Sequence, residues 1–360
     1  MGLLSRLRGR NANDRIPFDM FDLTAARLDR EARRARRLES IYHLGQERIW
    51  DGREVLARLI AQHGQPQLPD RERRALSRIF SIIMWGELAA WKISAQLSDQ
   101  LVDLEPKLAA ASQVHDEARH FYVMHDYLTA LGHEPPPMDF WSRHLVEMTL
   151  QTKDLTKKLL GMQLTIETIA LTLFQHVREL RVEPVLADLL PYYERDEARH
   201  VGLGTQLVPA LMLKMSIPEK ISLGLFQLEL LASAVFSLKA MEPDLMAIGV
   251  DPRQILAIGF RKQMEMQKTM SEDFPGWPDD PPVNRLFHGL CEVLFPSEGH
   301  GVKVPAHTRM AHALGVVART RAGVLEIAER ARADARATVT ARAGSAVATT
   351  TTTTGVAGAE

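Results

Sequence analysis

The pentapeptide Asp-Glu-Ala-Arg-His occurs at 116–120 and again at 196–200, and a glutamate stands 30 residues before each motif glutamate, Glu87 before Glu117 and Glu167 before Glu197. Every member of the first set recurs 80 positions later in the second. On a helix, Glu-x-x-His places a carboxylate and an imidazole on one face, and a glutamate from a neighbouring helix supplies a third ligand. Doubled, the set offers four carboxylates and two imidazoles, from Glu87, Glu117, His120, Glu167, Glu197 and His200, which suits two metal ions. Four glutamates turned into one core would repel each other and lose their hydration. Two divalent cations remove that problem and bring the formal charge of the site to zero. Carboxylate-rich coordination with one imidazole per ion suits iron or manganese better than a thiolate zinc site. Asp116 and Asp196, four residues before His120 and His200, are the kind of carboxylate that fixes a metal-bound imidazole, and Arg119 and Arg199 can neutralise them. One Glu-x-x-His alone is more often a surface pair than a ligand set. The doubling, with matched upstream glutamates on apolar stripes, is what favours metal.

The elements that would carry these residues are helical. From Asp70 onward, Leu76, Phe80, Ile83, Glu87, Ala90, Ser94, Leu97 and Leu101 fall on one stripe, with Glu87 in a slot otherwise given to core residues. A second stripe runs through Gln113, Glu117, His120, Met124 and Leu128 to a stop at Gly132. After a longer connection, a third reads Leu160, Gln163, Glu167, Ala170, Phe174 and Val177, and a fourth begins near Pro184 and carries Tyr193, Glu197, His200 and Gly204. The rise along each helical hairpin returns its ligands to one level. The expectation is an all-α, ferritin-like four-helix bundle over 70–215, preceded by a basic arm and helix over 1–69. Additional C-terminal helices follow over 216–337, opened by Ser216 with Glu219 and by Asp251-Pro252, and are expected to pack on the bundle as the wall of a cavity or a dimer face. The Ala/Thr-rich tail over 338–360 is expected to be disordered.

Composition fits a soluble globular chain: 46% hydrophobic, 25% charged, net charge −1. Nothing in it asks for nucleic acid. A single cysteine, Cys291, excludes an internal disulfide framework, and the start MGLLSRLRGR is too short in apolar residues for a secretory signal, so a reducing cytoplasm is the expected home. The apolar stretch Ile221 to Leu238 is interrupted by Gln227 and Glu229 and reads as a buried helix rather than a membrane span. For His115, His125, His133, His144 and His176 no partner stands at ligand spacing, and Glu194 reads as a neighbour of the site at most.

Glutamate followed about thirty residues on by Asp-Glu-x-Arg-His, twice over, resembles the di-iron carboxylate superfamily of ribonucleotide reductase small subunits, bacterial di-iron oxygenases and their relatives, across about 70–215. The resemblance implies that Glu87, Glu117, His120, Glu167, Glu197 and His200 ligate two irons, with a manganese/iron pair as the alternative, and that Asp116, Arg119, Asp196 and Arg199 support them. Three branches fit imperfectly. Met124 stands where radical-storing subunits carry a tyrosine, Leu171 where multicomponent hydroxylases carry a threonine, and Tyr193 where amine oxygenases carry a third histidine. The expected activity is oxidation of a small organic molecule by dioxygen, whether hydroxylation, N-oxygenation or desaturation. Electrons would come from an external ferredoxin or flavoprotein reductase, because no flavin, nicotinamide or Cys-rich motif is visible. Residues a turn from the ligands, Ile83, Trp91, Phe121, Gln163, Leu171 and Tyr193, are the expected substrate pocket. The rival readings are a ferritin-like ferroxidase and a reductase-like radical or ligand-binding oxidase, and a homodimer is left open.

Overall fold

The structure, a computed structural model, describes residues 36–132, 134–273, 282–296 and 304–318. The expected basic arm up to residue 35, His133, residues 274–281, 297–303 and 319–337 of the expected C-terminal region, and the Ala/Thr tail lie outside the described residues. No strand occurs among the described residues, and the chain is all-α.

Two helices, α1 (Arg36–Glu47) and α2 (Gly52–His63), precede the bundle. Asp51 caps α2 by accepting from Glu54 N at 2.9 Å. The first hairpin is α3 (Asp70–Gln100) and α4 (Leu104–Ala130), and the chain leaves α4 through Gly132 at φ +78°, a conformation open to glycine. Asp70 and Glu72 sit in the first turn of α3, where the helix dipole favours acids. The crossover contains α5 (Phe140–Gln151), capped by Asp139, and the short α6 (Leu155–Leu159), capped by Asp154. Buried Lys158 donates to the carbonyls of Thr149 and Leu150 at the end of α5 and to Gln96 Oε1, and burial pushes its pKa down to about 8.

The third bundle helix departs from the uniform stripe expected from Leu160. A π-helical turn, Leu160–Ile166, comes first, with Thr165 Oγ1 donating to the Leu160 carbonyl, and α7 (Glu167–Leu180) begins at the ligand itself. Alternation of 3.6-residue positions does not distinguish one widened turn, because the inserted residue rotates the face without changing its apolar content. The helix α8 (Pro184–Met212) returns antiparallel to α7. Its cap, Glu183, accepts from Val185 N and Leu186 N and also from Tyr127 Oη on α4.

Beyond the bundle come α9 (Ile217–Ala247), α10 (Pro252–Asp273), α11 (Pro282–Leu294) and α12 (Ala306–Ala318). Glu219 accepts from Ser216 N at 2.7 Å, the reach-back expected of a capping box. By length and composition α9 could cross a membrane; here it packs against α3, α5 and α11.

Two apolar layers bracket one polar level. Leu76, Phe80, Met84, Met124, Leu128, Phe174, Val177, Leu186 and Tyr193 belong to one cluster, and Ala90, Ile93, Leu97, Ala110, Leu159, Met162, Leu203 and Val208 to another. Along α3 the first cluster ends at Met84 and the second begins at Ala90, with Glu87 between them. The same break falls at Glu117 and His120 on α4 and at Glu197 and His200 on α8. Each fully buried Leu or Phe contributes about 1.5–3 kcal/mol, and these layers hold the carboxylates where water does not reach them. The α1–α2 pair packs on α4 and α8, whereas α9 and α10 lie on the side of α3 and α7.

Candidate metal centre

All six expected ligands meet at the bracketed level. Glu117, His120 and Glu197 are 0% exposed, Glu167 2%, His200 3% and Glu87 5%, so any charge there is compensated from within. Two overlapping sets form, Glu87, Glu117, His120 and Glu197, then Glu117, Glu167, Glu197 and His200, with ligand atoms within 4.8 Å of one another in each. Glu117 and Glu197 belong to both sets; each of the other four belongs to one.

The two halves mirror each other. His120 turns Nδ1 towards Glu197 Oε1 at 3.1 Å, Glu117 Oε2 at 3.5 Å and Glu87 Oε2 at 3.6 Å. His200 turns Nδ1 towards Glu197 Oε2 at 2.9 Å, Glu117 Oε1 at 3.2 Å and Glu167 Oε1 at 3.5 Å. Glu117 Oε2, His120 Nδ1 and Glu197 Oε1 have no hydrogen-bond partner although they are buried side by side. Unsatisfied buried atoms of this kind cost about 1–3 kcal/mol each. Their lone pairs converge on common points, which is the arrangement a cation needs, so the donor set fits a pair of divalent ions.

Electrostatics agree. Burial, together with the neighbouring Glu197 charge, holds Glu87 and Glu167 well above the usual carboxylate range. Burial alone would lower both histidines, yet the surrounding carboxylates outweigh it and raise them, Asp196, Glu117, Glu197 and Glu87 acting on His120, and Glu117, Glu197, Asp116 and Glu167 on His200. Glu197, against the effect of its burial, is pulled down by His200 and His120. The raised proton affinity of the histidines and the outer glutamates answers the same excess of negative charge that divalent cations would neutralise.

Asp116 and Asp196 do not pair with the histidines of their own motifs. Asp196 Oδ2 lies 3.2 Å from His120 Nε2, and Asp116 Oδ2 lies 3.3 Å from His200 Nε2. The swap follows from the pseudo-twofold relation of α4 and α8, which sets each aspartate opposite the other helix's histidine. Arg119 bridges Asp116 and Asp196, and Arg199 bridges the same two, so that two acids and two guanidiniums close a ring behind the imidazoles. These hydrogen bonds fix each ring with Nδ1 facing the carboxylates.

Three polar neighbours extend the site beyond what spacing revealed. Trp50, in the turn between α1 and α2, donates Nε1 to Asp196 Oδ2 at 2.8 Å and lies under Arg119. No periodicity marks Trp50, because it stands outside any helix. Gln113 Nε2 donates to Glu117 Oε1 at 2.8 Å and Glu167 Oε1 at 2.6 Å, and Gln163 donates to Gln113 at 2.7 Å. The signal for Gln113 was its amide on the inward stripe one turn before Glu117. The halves differ here: 80 positions after Gln113 comes Tyr193, whose Oη donates to the His120 carbonyl at 2.7 Å and whose ring stacks on that imidazole.

A cavity of about 240 Å³ adjoins the centre, with Glu87 and Glu167 in its wall. Of the residues expected to form a pocket, Ile83 lines it. The other five do not. Trp91 is 42% exposed, Leu171 is half-buried outside the wall, Gln163 is committed to Gln113, and Phe121 and Tyr193 sit on α4 and α8. A position one turn from a ligand shares its helical face, yet this cavity lies towards α3, α7 and the later helices. Glu194 accepts from Arg178 at 2.6 Å, and His144 lies 3.1 Å from Glu229.

No family model and no curated protein matches the chain. Among solved structures, it is similar to a protein from Synechococcus described as protein 19 with aldehyde deformylating oxidase activity, at 18% identity and a TM-score of 0.49, over 56% of this chain and 92% of that one.

Proposed function

We propose that the chain is a di-iron oxidase that uses dioxygen to oxidise a small organic molecule held in the cavity beside Glu87 and Glu167. The observation that carries this reading is the coincidence of two features. Two buried ligand sets share a pair of glutamates, and an apolar cavity touches the unshared glutamate of each. Glu87, Glu117, His120 and Glu197 would hold one ion, and Glu117, Glu167, Glu197 and His200 the other. Bound iron would supply the redox chemistry with dioxygen. The chain's own residues supply position and dryness. Asp116 and Asp196 orient the imidazoles, Gln113 orients Glu117 and Glu167, and the apolar layers keep bulk water from the carboxylates.

Electrons would arrive from an external ferredoxin or flavoprotein reductase, and a cytoplasmic location suits the single free cysteine. Whether the outcome is hydroxylation, N-oxygenation or desaturation depends on which substrate atom the cavity presents. The test is anaerobic titration with ferrous iron, metal analysis after desalting, and then single-turnover oxygen uptake with candidate substrates. Two irons per chain and oxygen uptake that rises with substrate support the proposal. Fewer than one iron per chain, or iron retained equally when Glu117 and His200 are both replaced by alanine, overturns it.

A further inference from the structure

The cavity wall carries two helical glycines that no backbone or packing requirement explains. Gly86 on α3 and Gly259 on α10 are both absent from the positive-φ glycines, so neither needs glycine's conformational freedom. A Cβ built on either meets no atom within 4 Å. At Gly52, Gly161 and Gly204 glycine has a packing reason, since a Cβ there would lie 2.1, 2.6 or 2.5 Å from a neighbouring side chain, whereas Gly224 and Gly315 are open like Gly86 and Gly259 but do not line the cavity. Glycine inside a helix is destabilising relative to alanine, so a glycine facing open space needs another cause. Both line the cavity, and there the missing side chain is itself part of the void.

Their positions differ usefully. Gly86 immediately precedes Glu87, at the metal end. Its counterpart 80 positions on, Ile166, precedes Glu167 and also lines the cavity, so one half of the repeat fills a place that the other leaves open. Gly259 lies on the opposite wall, one turn from Ile255 and Gln263. The rest of the lining is chiefly Ile, Leu, Val and Met, and among the described residues it contains no lysine, arginine or histidine. Among the described residues Glu87 and Glu167 are its only ionisable side chains, and with the centre filled their charge is already balanced. An anionic ligand would therefore be desolvated there without a partner.

We infer that this cavity takes an uncharged aliphatic molecule, and that Gly86 and Gly259 set how long a chain it admits. The inference deepens the oxidase proposal, and rests on it in treating the cavity as the substrate site.

The experiment is calorimetric titration of the full chain, without iron, with the primary alcohols from 1-butanol to 1-dodecanol. Each methylene that enters the cavity should tighten binding about fourfold, until a length at which affinity levels off. Leucine fills space with four carbons, so in Gly86→Leu and in Gly259→Leu the plateau should arrive about four carbons earlier. Gly224→Leu, an equally open helical glycine that does not line the cavity, should keep the wild-type plateau. If a leucine variant does not fold, Gly86→Ala carries the test, with a plateau about one carbon earlier and a higher melting temperature. Plateaus unchanged in both Gly86→Leu and Gly259→Leu, or no alcohol binding by the wild type, would overturn the inference. Because binding is read without iron, a chain that shows these shifts but takes up no metal would sink the oxidase proposal and leave the length determinants standing.

Discussion

Glu117→Ala and Glu87→Ala remove the same chemical group from the same level of the bundle, yet the geometry makes them unequal. Glu117 belongs to both ligand sets and Glu87 to one. Suppose free ferrous iron is held at 100 times the wild-type Kd of each site. Two filled sites then stabilise the fold by about 2 × 2.7, or roughly 5.4 kcal/mol. Loss of an outer-shell partner weakens metal binding about 10–100-fold, so a hundredfold weakening on loss of a direct ligand is a conservative figure. A site weakened that far retains about 0.4 kcal/mol under the same conditions. Glu87→Ala should therefore lower the iron-dependent stabilisation from about 5.4 to about 3.1 kcal/mol, and Glu117→Ala to about 0.8 kcal/mol. Anaerobic urea denaturation of each variant with and without iron measures the increment, and referring each variant to its own metal-free form cancels the effect of losing a buried charge. At that free iron concentration a site weakened a hundredfold is half filled, so metal analysis should give about 1.5 irons per chain for Glu87→Ala and about 1 for Glu117→Ala, against about 2 for the wild type. Equal increments for the two variants would refute the sharing of Glu117, and with it the overlap of the two sets.

Other perturbations test the surroundings. Asp196→Asn keeps the shape but weakens the acceptor for His120 and Trp50, and should cost about 10–100-fold in iron affinity at the His120 site, read by competition with a chelator. Gly204→Ala would set a Cβ 2.5 Å from Gln163 Cβ and 2.7 Å from Leu164, forcing α8 away from the π-helical turn. It should destabilise by about 1–3 kcal/mol by chemical denaturation, and a melting temperature at or above wild type would contradict the close approach. His288 is 3% exposed, lies tilted at 43° against Phe260 with ring centroids 3.8 Å apart, has no hydrogen-bond partner among the described residues on either ring nitrogen, and burial lowers its pKa to about 4. Its folded pKa lies below an unfolded value near 6.5, so the unfolded chain binds more protons between those limits. Stability from this residue is full above about pH 6.5 and falls on acidification towards pH 4, by up to about 3 kcal/mol. The difference in unfolding free energy between wild type and His288→Phe should carry that slope, and a difference independent of pH between 4 and 7 would contradict it.

Legibility followed periodicity. Glu87, Glu117, Glu167 and Glu197 were readable because each interrupts an apolar stripe, and a charge among core residues has few explanations besides compensation. The hairpins were readable for the same reason, and α3 and α8 start where the stripes and the Pro184 signal place them. The pocket was not. Its wall draws on α9, α10 and α11, whose placement against α3 and α7 depends on long-range packing that no single stripe encodes. The exchange of aspartates between motifs escaped for a related reason. A spacing of four suggests a partner on the same helix, whereas antiparallel neighbours under a pseudo-twofold bring the facing helix's imidazole closer. Trp50 was invisible because a turn residue has no period, and the π-helical turn because one extra residue leaves composition unchanged.

The two sides of the bundle divide the work. On the α4 and α8 side, α1, α2 and the turn holding Trp50 close over the Asp116, Arg119, Asp196 and Arg199 ring, and the histidines are held from behind by charge-assisted bonds. On the α3 and α7 side, the later helices stand off from the bundle far enough to leave a cavity, and the glutamates there have no such ring behind them. A centre braced on one face and open to an apolar space on the other lets ligand geometry stay fixed while the contents of the cavity change. A minimal bundle has no need of α9 and α10 to hold two ions. Their presence, with Gly86 and Gly259 leaving room between the walls, is what supports the proposal of a centre that acts on an apolar molecule over one that only stores metal.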